Sequence, residues 1–60
     1  MDRKQRFNQI YANLPISSRE EIILVINDEP ITWKVARLYI EQDTKLGEEI
    51  LQKLVKLGII

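Results

Sequence analysis

The side chains in this chain that could carry acid–base or nucleophilic chemistry are two serines, Ser17 and Ser18, and three pairs of neighbouring carboxylates, Glu20-Glu21, Asp28-Glu29 and Glu48-Glu49. A serine needs a base to become a nucleophile, and the sequence contains neither His nor Cys, the commonest general base and the strongest nucleophile. Ser17 precedes Glu20 by three positions and Ser18 precedes Glu21 by three, which is the spacing of a helix capping box. Two adjacent carboxylates on a helix point in different directions and do not form a paired acid/base site. Glu49 stands four residues from both Lys45 and Lys53, the spacing of a solvated ion-pair ladder. Asp28-Glu29 could touch a cation, but it falls inside Asn27-Asp28-Glu29-Pro30, whose residue types are those of a turn. Without Cys or His there is no disulfide and no structural zinc site. The expectation is a protein that is not an enzyme and holds no metal and no cofactor.

The elements that would position these groups are punctuated by two prolines, Pro15 and Pro30. Before Pro15, the residues Phe7, Ile10, Tyr11 and Leu14 recur at the spacing of one helical face. Between the prolines the signals conflict. The two capping boxes favour a helix starting near Arg19. The run Ile22-Ile23-Leu24-Val25-Ile26 is apolar on every side and mostly β-branched, which favours a strand. After Pro30, Thr32 can cap a helix whose polar residues Lys34, Arg37 and Glu41 line up on one side. Asp43 or Thr44 can cap a last helix with Leu46, Ile50, Leu54 and Leu57 as its inner stripe. Gly58 followed by Ile59 reads as its Schellman stop. The fold class expected is all-α, a compact bundle of three to four short helices forming a single domain over 1–60. The alternative is one strand at 22–26, followed by two helices, that pairs with the same strand of a second copy.

From Ser18 onward the order of elements resembles the helix-turn-helix class and its winged relatives. The residues that carry the resemblance are Ile22-Ile23-Leu24, Glu29-Pro30-Ile31-Thr32, Val35-Ala36, and Ile50, Leu54 and Leu57-Gly58-Ile59-Ile60. The resemblance covers about two thirds of the chain and implies a tri-helical core. It also implies a recognition helix over the last block, with Lys34, Lys45 and Gln52 as contacts to nucleic acid. No hairpin follows Gly58 to serve as a wing. The outer face of the last helix, Lys45, Glu48, Glu49, Gln52 and Lys56, carries no net charge, and phosphates would repel Glu48 and Glu49.

Nine acidic residues balance nine basic ones, so the electrostatic footprint of a dedicated nucleic-acid binder is missing. The balance is uneven: Arg3, Lys4 and Arg6 make the start basic, whereas Glu20, Glu21, Asp28 and Glu29 make the middle acidic. The longest apolar run, Ile22 to Ile26, is far too short to span a bilayer, and no apolar stretch follows the basic start as a leader would require. Absence of Cys suits a reducing cytoplasm. A chain of 60 residues buries little surface, and small domains of this kind rely on disulfides, metals or oligomerisation. Only the last remains open here. Beside the inner stripe of the final helix, Leu51, Val55 and Ile59 form a second apolar line. That line would serve either as a seam for a partner or as a seat for the first helix. The function expected is a non-enzymatic interaction or regulatory module in the cytoplasm, self-associating as a homodimer through apolar helix faces. A further protein partner is compatible with it, a membrane is not, and DNA binding by a reduced helix-turn-helix is the alternative.

Overall fold

The computed structural model describes residues 2–60 and shows three α-helices and one β-hairpin around a shared core. Helix α1 spans Arg3–Ala12, strands β1 and β2 span Ile22–Ile26 and Glu29–Thr32, and helices α2 and α3 span Trp33–Glu41 and Lys45–Lys56. A short 3₁₀ helix, Ile16–Glu20, leads from α1 to the hairpin.

Two expectations are corrected here. The fold is not purely all-α: the segment expected to supply a helix after Ser18 forms a strand. That strand does not await a second copy for its partner, because β1 pairs antiparallel with β2 of the same chain. Local sequence explains both outcomes. Asn27 and Asp28 adopt φ values of 53° and 65°. A two-residue type I′ turn needs this left-handed pair, and Asn and Asp tolerate it better than other side chains. Ile26 and Glu29 flank the turn, and Val25 faces Pro30. In a two-residue hairpin the flanking pair is hydrogen-bonded and the next pair is not. Pro30 therefore occupies a position where its missing N–H interrupts nothing. The capping-box serines act differently from expected: Ser18 lies in the 3₁₀ helix, where its carbonyl accepts from the Glu21 N–H at 3.0 Å.

The register slips by one residue at Ile23, between the pairs Ile22–Thr32 and Leu24–Ile31. This bulge changes which side chains face inward. Leu24 and Ile26 enter the core, whereas Ile22, which would share their face in a regular strand, is exposed beside Val25. Past the bulge the Trp33 N–H donates to the Glu21 carbonyl at 3.3 Å, so the hairpin runs directly into α2. Thr32 ends β2 and also caps α2, its hydroxyl accepting from the Val35 N–H at 3.1 Å.

The core is apolar throughout. Phe7 of α1, Ile31 of β2, Ala36 and Ile40 of α2, and Ile50 and Leu54 of α3 are almost completely hidden from solvent. Phe7 packs against Trp33 with ring centroids 5.6 Å apart and against Tyr11 at 6.1 Å. The tightest junction is the corner between α2 and α3. The Thr44 hydroxyl accepts from the Gly47 N–H at 2.9 Å and donates to the Tyr39 carbonyl at 3.1 Å, tying the start of one helix to the end of the other. At Gly47 a β-carbon would stand 2.5 Å from the Tyr39 carbonyl oxygen, so only glycine allows this approach. Gly58, at φ 75°, closes α3 in a complete Schellman motif: its own N–H donates to Val55 and that of Ile59 donates to Leu54.

Candidate interaction surface

The seam expected along Leu51, Val55 and Ile59 is divided by the structure. Leu51 is 6% exposed and belongs to the core, whereas Val55 and Ile59 are 44% and 36% exposed. Leu51 lies beneath the start of α1, lining a hollow with Arg3, Lys4 and Ile40. Above it Arg3 pairs with Glu48, and Lys4 pairs with Asp43 at 3.0 Å. The basic start of the chain is thus engaged with acids of its own α2–α3 corner.

A larger apolar surface lies elsewhere, where β1 runs beside the end of α3. An open groove of about 420 Å³ is lined there by Ile23, Leu24 and Val25 from the strand and by Lys53, Lys56 and Leu57 from the helix end. Val25 is 57% exposed, Leu57 is 62% exposed and Ile22, on the same strand, is 60% exposed. Among the described residues the sheet has two strands, and the outer edge of β1 has no neighbouring strand. All five residues of β1 are aliphatic and uncharged. Sheets with one wet face normally alternate apolar and polar residues. Edge strands are normally guarded by a charge or kept very short. Here the bulge at Ile23 is the one such device in β1. The lysines at the groove wall have no carboxylate partner among the ion pairs of the described residues. The sequence signal for this surface was the unbroken aliphatic run itself, which holds more apolar residues than a half-buried strand needs.

The residues expected to touch nucleic acid are spread over two elements. Lys45 and Gln52 are exposed on α3, and Gln52 leans towards Glu48 at 3.5 Å. Lys34 is exposed on α2, 3.9 Å from Glu20 of the 3₁₀ helix. The segment Ile22-Ile23-Leu24, taken as the first helix in the helix-turn-helix resemblance, lies in strand β1; α2 and α3 follow, joined by the turn Gln42-Asp43-Thr44. Among the described residues no group of three or more His, Cys, Asp or Glu side chains could hold a metal ion. Among the same residues no helix is long and apolar enough to cross a membrane. Glu20 and Glu21, Asp28 and Glu29, and Glu48 and Glu49 are all exposed. No protein-family model, curated protein or solved structure matches the chain.

Proposed function

We propose that this protein is a non-enzymatic interaction module of the cytoplasm that acts as a homodimer, and that the self-associating surface is the β1–α3 face. The observation that carries this reading is the exposed aliphatic set Ile22, Val25 and Leu57 along an unpaired strand edge. A second copy suits this face for two reasons. The strand itself is uncharged, so pairing it with its own copy buries no charge. Its flanks are acidic, with Glu20 and Glu21 before it and Asp28 and Glu29 after it, and the groove wall of a facing copy offers Lys53 and Lys56. A standard interface takes ~800 Å² from each partner, so one face of a protein with 4236 Å² of surface suffices. Val55 and Ile59 remain as a smaller apolar patch that a dimer can extend onto. The absence of Cys agrees with a reducing compartment.

Sedimentation equilibrium across the micromolar range tests this reading. The wild-type chain is expected to dimerise, and Val25→Lys with Leu57→Lys is expected to be monomeric with an unchanged circular dichroism spectrum. A wild-type chain that stays monomeric at high micromolar concentration sinks the proposal.

DNA contact through α3 is the second reading. Its support is that Arg3 draws Glu48 aside, leaving Lys45, Gln52 and Lys56 on the outer side of the helix with Glu49. It requires duplex binding that weakens steeply with salt. Absence of binding at low salt removes it.

A further inference from the structure

Arg19 and Arg37 belong to different elements, the 3₁₀ helix and α2, yet both place their guanidinium groups over the ring of Tyr11 on α1. The guanidinium carbons stand 4.6 Å and 5.0 Å from the ring centroid. A tyrosine face attracts one cation, but two cations over one ring repel each other. A single carboxylate offsets this: Glu41 accepts from Arg37 at 3.2 Å. Among the described residues Arg19 pairs with no carboxylate. One of its terminal nitrogens makes a long bond of 3.4 Å to the Tyr11 carbonyl, and its Nε, hidden from solvent, has no acceptor at all. A hidden donor without an acceptor is costly and uncommon in folded proteins. Arg19, Arg37 and Tyr11 line, with Asn8, Ala12 and Glu41, an open hollow of about 310 Å³.

We infer that the hollow between Arg19 and Arg37 is a binding site for a small oxyanion, the group shared by phosphates and carboxylates. Such an anion gives the terminal nitrogens of Arg19 the carboxylate-like partner that the described residues do not supply, and it neutralises the second positive charge over Tyr11. Guanidinium groups present parallel N–H donors that match two oxygens of one such group. Glu41 is the antagonist, since its carboxylate already occupies Arg37 and repels an incoming anion. The site is on the α1–α2 side of the molecule and does not depend on the dimer proposed above.

The test is titration of the ¹⁵N-labelled protein with sodium phosphate, sodium acetate and sodium chloride at matched ionic strength, following the Arg19 Nε–H and Tyr11 signals. Saturable shifts with phosphate or acetate, absent with chloride, are expected. Saturation by phosphate alone assigns a tetrahedral anion, and saturation by both admits carboxylates. Glu41→Gln is expected to tighten binding several-fold. Adding Arg37→Gln to that variant is expected to weaken it at least about tenfold, the loss of a charge-assisted contact. Both substitutions lie on the solvent side of α2 and leave Phe7 and Trp33 packing intact, which the aromatic signals report. Shifts that follow chloride equally, or an affinity unmoved by Glu41→Gln and by the double variant, overturn the site.

Discussion

The α2–α3 corner and the β1–β2 hairpin solve the same problem in opposite ways. At the corner every inward group is matched. Thr44 satisfies both helices, Gly47 lets the backbones touch, and Gly58 seals the last turn. Of the expected apolar stripe of α3, Ile50 and Leu54 are fully covered by the chain's own core and Leu46 packs against it, while Leu57, just past the helix, stays exposed. The hairpin is matched on one side only. Leu24, Ile26 and Ile31 seat it on the core, while Ile22 and Val25 stay in water. A strand that only had to roof this core would carry polar residues on its outer face. The difference separates residues that fold the chain from residues that the fold does not use, and the second group is where interaction is to be sought.

The sharpest way to break the comparison is to open the corner. Leu54→Ala removes a side chain with no exposure from the hydrophobic core, and a loss of about 3 kcal/mol is expected. Urea unfolding reads it directly. A loss below about 1 kcal/mol, the level of an average substitution, would mean that the core is not closed around α3. Gly47→Ala tests the approach of the two backbones. Alanine ordinarily gains about 1 kcal/mol over glycine inside a helix. Here its β-carbon meets the Tyr39 carbonyl, and overpacking against backbone costs about 1–3 kcal/mol or more. Because the clash is with backbone, the upper part of that range, about 2–3 kcal/mol, applies, and the net expectation is a destabilisation of about 1–2 kcal/mol. A more stable variant would refute the close contact.

The same contrast governs what could be read from the sequence. The three helices, the Thr32 cap, a cap at Asp43 or Thr44 and the Gly58 stop were legible because each depends on residues a few positions apart; the structure selects Thr44. The hairpin was not. Its turn is Asn27-Asp28, without the glycine that marks most type I′ turns, and Pro30 reads as a strand breaker until its non-bonded position opposite Val25 is known. The capping-box spacing of Ser17 and Ser18 pointed to an α-helix, but those residues form a 3₁₀ helix that ends before the β-branched run. Leu51 could not be told from Val55 by spacing alone. The place where α1 lands decides between them; buried Phe7 and Tyr11 seat that helix, and the Arg3–Glu48 and Lys4–Asp43 pairs beside it join residues far apart in the chain. The Arg19–Tyr11–Arg37 cluster likewise joins three elements with no sequence pattern to announce it.

The smallest effect concerns the hairpin turn and bears on why β1 pairs within its own chain at all. Asp28 holds φ 65°, a region that side chains enter at a cost and glycine enters freely. Asp28→Gly turns the loop into Asn-Gly, the preferred type I′ pair. Relief of the left-handed strain is partly offset by the greater freedom of glycine in the unfolded chain, so the gain is small, about 0.5 kcal/mol. It should appear as a modest rise in the unfolding midpoint with the urea slope unchanged. A fall in stability of about 1 kcal/mol, the ordinary cost of glycine within regular structure, would show that the left-handed turn does not set the register. Because the turn aligns Val25 with Pro30 while the bulge at Ile23 leaves Ile22 exposed, a firmer turn should also leave the dimer intact. A turn variant that gained stability yet lost self-association would show that the Asp28 carboxylate, rather than the aliphatic face, carries the contact between copies.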